Sequence, residues 1–143
     1  MAQATQPVSN VIAIAFDFDD TLVPDSYDAV IKHLGYEPKT FREERYEPLL
    51  KDGWDGIPAR FYTLIEESRQ RPEGKKITAE FFENVGQQHA PFPGVPDMFD
   101  RVRKRCRESN ASIELEFYLI TSGFVEIARH TAIAQEFKAM WGC

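Results

Sequence analysis

The chain has 143 residues, 43% of them hydrophobic and 28% charged, with a formal net charge of −6. That balance suits one globular domain, or a domain with a small insert. It argues against nucleic acid or an anionic membrane as the main partner, since both need concentrated positive charge. No apolar run approaches the length of a membrane span, and residues 1–10 lack the basic and apolar regions of a signal peptide.

Residues 1–10 read as a short disordered lead. Val11 to Phe16 is a continuous apolar run, which predicts a strand buried on both faces of a parallel sheet. Asp17 follows at the strand's carboxyl end, the edge at which open α/β sheets usually bind ligands. Two residues of extended backbone put Asp17 and Asp19 on the same side, so that one carboxylate can attack while the other moves protons. Asp-Phe-Asp-Asp-Thr also reads as a polar turn after a strand, with Asp19 or Asp20 starting a helix.

From Ser26 to about His89 the pattern is helical. Tyr27, Val30, Ile31 and Leu34 keep helical spacing, as do Phe61, Leu64 and Ile65. Gly35, Gly53, Gly56 and the Arg71–Gly74 segment divide the stretch into three or four helices. The turn-rich Lys51–Gly56 segment either presents Trp54 to a substrate or uses it to anchor the loop to a helix. Arg60 is a candidate contact for an anionic substrate.

Pro91-Phe92-Pro93-Gly94-Val95-Pro96 stiffens and re-aims the chain. The helix that follows has the apolar stripe Met98, Phe99, Val102 and Cys106. Arg101, Arg103, Lys104, Arg105 and Arg107 read as its solvated faces, matched to the helix dipole. A second strand is expected over 114–120, followed by Thr121-Ser122-Gly123 and a helix. A hydroxyl, a glycine and a helix start can hold a phosphate through backbone N–H groups, or can simply cap the helix. Beyond it, Ile127, Ala134 and Phe137 keep helical phase to near the end of the chain. Cys106 and Cys143 read as free thiols, which fits a reducing, cytoplasmic setting, and the scattered His33, His89 and His130 make no zinc pattern.

The string Asp17-Phe18-Asp19-Asp20-Thr21-Leu22-Val23 after an apolar strand resembles the first motif of the haloacid dehalogenase (HAD) superfamily of phosphohydrolases. Thr121-Ser122-Gly123 is similar to the second motif, with Thr121 as the matching hydroxyl and Ser122 as the competing register. The Pro-Phe-Pro-Gly-Val segment is similar to the linker that precedes it. The resemblance implies an α/β fold: a Rossmann-like parallel core over residues 11–25 and 91–143, with a helical C1-type cap inserted over residues 26–90. It also implies a phosphatase acting on a small phosphorylated metabolite, because the family's dehalogenases lack the second acid and its phosphorylating ATPases carry Thr there. Asp17 is then the nucleophile and Asp19 the acid and base. Thr121, Ser122 and Gly123 hold the phosphoryl group, and Asp17 with the Asp19 carbonyl binds Mg2+. Asp20 and Thr21 are expected to hold the loop through backbone hydrogen bonds.

The family's third-motif Lys or Arg and fourth-motif acidic pair have no counterpart in the 22 residues after Thr121, where Lys138 is the only lysine and is expected on a helix. With only two strands in evidence, the resemblance implies a core incomplete at its carboxyl end and weak Mg2+ binding. It leaves two alternatives to an active enzyme: a non-catalytic HAD-derived binding module, or one half of a split enzyme.

Overall fold

Val11–Phe16 forms β1 as expected, within the computed structural model, which describes residues 10–143. The lead expected over residues 1–10 lies, but for Asn10, outside the described residues. The helical stretch follows. It consists of α1 (Ser26–His33), α2 (Pro38–Phe41), a π-helical turn at Arg42–Tyr46, α3 (Glu47–Lys51), α4 (Gly56–Gln70) and α5 (Ala79–Gln88). Local chemistry starts these helices. The carboxylates of Asp25 and Asp55 accept backbone N–H groups at the heads of α1 and α4, and the Thr78 hydroxyl does so for α5. Asp25 is thus the residue that caps the first helix, in place of Asp19 or Asp20.

The chain returns through α6 (Val95–Ser109) to β2 (Glu114–Ile120), which pairs in parallel with β1, Phe16 opposite Leu119. After the short α7 (Val125–Ala128) and a 3-10 turn at Ala134–Glu136, Ala139–Trp141 adds β3, parallel to the far side of β2. The result is an α/β fold with a three-stranded parallel sheet in the order β1-β2-β3. Among the described residues no helix is long and apolar enough to cross a membrane.

The structure departs from the expectations at several points, the first being β3, a strand beyond the two in evidence in the sequence, formed by pairing with the free side of β2. The helical phase drawn through Ile127, Ala134 and Phe137 breaks after one turn of helix. Phe137 instead packs edge-on against Phe99 at 5.4 Å, and the chain continues into a strand. Nor is β1 buried on both faces: Val11 and Ile12 are 39% and 44% exposed, as are Ile120 (56%) and Trp141 (53%) at the other end of the sheet. Aromatic packing seals one face only. Phe16, Phe117 and Phe99 of α6 meet at centroid distances of 5.2–5.8 Å, a geometry that adds to their simple burial.

The helical segment has its own core. Tyr27, Val30 and Ile31 of α1 are fully buried, whereas Ile65 of α4 is left 49% exposed despite its phase. Trp54 packs against Tyr62 of α4 with tilted rings, centroids 5.0 Å apart. The carboxylate of Glu67 is buried under Tyr36, Arg45 and Arg71, all of which donate to it. Burial pushes the Glu67 carboxyl up, but these hydrogen bonds outweigh it and leave the group below the ordinary range. Its contribution is therefore present at neutral pH and lost as pH falls through its depressed value. We expect Glu67→Gln to lower stability by about 3 kcal/mol at neutral pH, because three donors lose a charged acceptor. Urea denaturation checks this, and a loss under about 0.5 kcal/mol would show the network to be dispensable.

Helix α5 docks on α7 by a close approach at Gly86. A methyl group there would lie 2.5 Å from the Ile127 carbonyl oxygen. This contact seats the helical segment against the turn that follows β2.

Candidate active site

The two acidic positions emerge from β1 on either side of a buried anchor. Phe18 is fully buried, and its carbonyl accepts N–H groups from Thr21, Leu22 and Val23 at 2.9–3.3 Å, winding the loop tightly. Asp20 adopts a left-handed backbone (φ 56°) and donates its N–H to the Val23 carbonyl at 2.8 Å. Aspartate tolerates this conformation better than most side chains. Asp17 is left exposed at the strand end, and Asp19 is half-buried.

Thr21 does more than hold the backbone. Its hydroxyl donates to Asp17 Oδ2 at 3.0 Å, orienting the exposed carboxylate. Asp19 is held from two sides. Its Oδ1 accepts the Ser26 N–H at 2.7 Å, from the first turn of α1, and its Oδ2 lies against Gly123. A β-carbon on Gly123 would fall 2.2 Å from Asp19 Oδ2 and 3.2 Å from Thr121 Oγ. The absent side chain at Gly123 is what lets the loop after β2 touch the loop after β1.

Thr121 is buried, and its hydroxyl accepts the Gly123 N–H at 2.9 Å. That amide is thereby committed inside its own turn, while Ser122 is exposed. Thr121, Gly123 and Asp19 are brought together; Ser122 stands at the rim. The end of the chain closes the other side of the loop. Thr121 N–H donates to the Trp141 carbonyl at 3.0 Å, and Cys143 N–H donates to the Gly123 carbonyl at 3.2 Å.

Burial raises the Asp19 carboxyl above the ordinary aspartate range. Hydrogen bonds from Ser26 offset part of this, the neighbouring Asp25 charge adds to it, and Arg60 opposes it. Arg60 is the cation whose charge reaches Asp19. It pairs with Asp25 Oδ2 at 3.3 Å and lies over the Tyr27 ring at 5.4 Å, while Arg42 takes the other Asp25 oxygen at 3.1 Å. Lys138 does not join this group, nor does it sit on a helix. It immediately precedes β3 and pairs with Glu116 in the middle of β2.

A raised value means that the folded chain holds the Asp19 proton more tightly than the unfolded chain does. This group therefore stabilises the fold below the ordinary value of about 3.9, and that contribution is lost as pH rises through its own higher value. Asp19→Asn carries no titration, so the stability of the parent relative to the variant is expected to fall as pH rises across the acidic range. Urea midpoints in a series of acidic buffers check the sign, and a difference that grows with pH would contradict it.

Among the described residues no group of three His, Cys, Asp or Glu side chains is placed to hold a metal ion. Mg2+, however, is commonly held by one or two carboxylates with water and a substrate phosphate. The exposed Asp17 carboxylate is of the kind that supplies one such oxygen.

No family model and no solved structure matches the chain. A curated protein of Borreliella burgdorferi (strain ATCC 35210 / DSM 4680 / CIP 102532 / B31), described only as an uncharacterized protein, is 26% identical over 141 residues, covering 94% of this chain and 50% of its own length. The chain therefore spans about half the length of the curated relative it matches. Fold and site define the class only as an α/β chain with an acidic loop and a hydroxyl–glycine loop meeting at the ends of parallel strands.

Proposed function

We propose that the chain carries the reacting carboxylates of a Mg2+-dependent phosphohydrolase of HAD type, acting on a small phosphate monoester. The observation that supports this most is that an exposed Asp17 and a half-buried Asp19, the latter seated against the Gly123 turn with its carboxyl raised by burial, flank Phe18 at the end of β1. Two carboxyl groups in such different surroundings suit different roles. An Asp17 oxygen attacks phosphorus, and the bond from phosphorus to the ester oxygen breaks. Asp19 gives its proton to the departing alkoxide. Asp19 then takes a proton from water, whose oxygen attacks phosphorus and releases phosphate from Asp17. Thr21 keeps the attacking carboxylate oriented. Mg2+, when bound at Asp17 and the Asp19 carbonyl, offsets the charge of the anionic ester. Free thiols at Cys106 and Cys143 fit a reducing, cytoplasmic setting.

A second reading is a non-catalytic module or one half of a split enzyme. It is favoured by the commitment of the Gly123 amide to the Thr121 hydroxyl, which takes that N–H away from a phosphoryl oxygen. Hydrolysis of p-nitrophenyl phosphate by the purified chain, with and without Mg2+, separates the two. Mg2+-dependent turnover supports the enzyme, and a folded chain without turnover supports the module. With so few donors, Mg2+ titrated into the chain without substrate is expected not to saturate below about 1 mM. Tight stoichiometric binding in calorimetry would contradict a site built only from the Asp17 carboxylate and the Asp19 carbonyl.

A further inference from the structure

Alongside α4 and the start of α5 lies a cavity of about 370 Å3 that the proposed chemistry does not use. Its volume falls in the range of roughly 300–1,000 Å3 found for small-molecule sites. Phe61, Leu64, Ile65, Ile77, Phe82 and Phe124 make its apolar walls; Asp17, Asp19, Thr121 and Gly123 do not line it. The walls follow α4 from Phe61 to Arg69, a run of about 12 Å of helix, and the far end carries two cations, Arg69 and Lys76.

The cations differ in what they have to offer. Arg69 already donates to Glu66 at 2.6 Å. The Lys76 ammonium gives one proton to the Arg69 carbonyl at 3.4 Å and pairs with no carboxylate among the described residues. Two donor protons of an ammonium thus remain on a residue that lines an apolar cavity. One uncompensated positive charge beside apolar walls is matched by a molecule with an apolar body and a single negative charge.

We propose that this cavity binds a small amphipathic carboxylate, with its chain or ring between Phe61, Leu64 and Phe82 and its head at Lys76. The ligand also meets Phe124, which stacks on Phe82 at 5.2 Å and directly follows Gly123. The site is therefore adjacent to the loop against Asp19 without being part of it, and it stands whether or not the chain hydrolyses phosphate esters.

Decanoate titrated into the full chain, followed by calorimetry and amide NMR, tests this, with decanol as the neutral probe. One decanoate per chain is expected, with shifts centred on Ile65, Ile77, Phe82 and Phe124. Decanol is expected to bind roughly tenfold more weakly, a difference of about 1.4 kcal/mol. Lys76→Gln is expected to weaken decanoate about threefold, as befits a partly solvated charge pair. Ile65→Glu, at a half-exposed position, is expected to abolish binding by placing a negative charge in the wall. Absence of saturation below the micellar concentration, shifts centred elsewhere, or equal binding of decanol would each overturn the proposal. The shift map on the unaltered chain decides the location even if a variant fails to fold.

Discussion

Replacing Asp17 by Asn is expected to abolish Mg2+-dependent phosphate ester hydrolysis while leaving the fold intact. The loss should be on the order of 10⁴-fold or more, the scale seen when a nucleophile is removed. An amide oxygen is a far poorer nucleophile than a carboxylate and cannot form the same acyl phosphate. Structure is preserved because Asp17 is exposed and because the Asn side-chain oxygen still accepts the Thr21 hydroxyl now bound at 3.0 Å. The stability change should stay within about 1 kcal/mol, the net worth of one such hydrogen bond. Initial rates with p-nitrophenyl phosphate, beside thermal unfolding of both chains, provide the check. Activity within tenfold of the parent would remove Asp17 from the chemistry and leave the hydrolase reading without its nucleophile.

Gly123→Ala is the second substitution with a large expected effect, and it tests the meeting of the two loops. The added carbon would lie 2.2 Å from Asp19 Oδ2 and 3.2 Å from Thr121 Oγ, so either the carboxylate or the whole turn has to move. We expect a fall of about 10²-fold in activity, the cost of displacing a reacting group by about an ångström. Stability should also drop by about 1–3 kcal/mol through overpacking. Gly74→Ala supplies the control. Its backbone is left-handed at φ 82° with open space around it, so strain of about 1–2 kcal/mol is expected with no effect on turnover. Comparing rate and urea midpoint for both variants separates loss of geometry from loss of stability. Equal activity of Gly123→Ala and the parent would mean that Asp19 does not work from this position.

The acidic loop after β1 is legible in the sequence because its signal is local. An apolar run ending in Asp-x-Asp needs only the period of a strand to put acids at a sheet edge. The Thr121–Gly123 turn is legible for the same reason, although the commitment of the Gly123 amide to the Thr121 hydroxyl depends on the turn that formed. Local pattern misses Thr21 and Ser26 as partners of the two carboxylates. By sequence Thr21 is a residue that holds backbone and Ser26 no more than a helix start, yet one orients Asp17 and the other holds Asp19. The available cue is a helix beginning so soon after the acids that its first N–H groups have to face them.

The sequence by itself determined β1, β2 and the helical stretch between them, because each is written in a run long enough to show its own period. Tertiary structure alone decided β3, whose three residues are too few to display alternation and which exists through pairing with the free side of β2. It alone moved Lys138 from an expected helix to an ion pair with Glu116. It also brought Asp19 to Gly123 and the carboxyl end of the chain to Thr121, contacts between residues about a hundred or about twenty positions apart. Such contacts arise from closure of the chain upon itself, which no local pattern of side chains encodes.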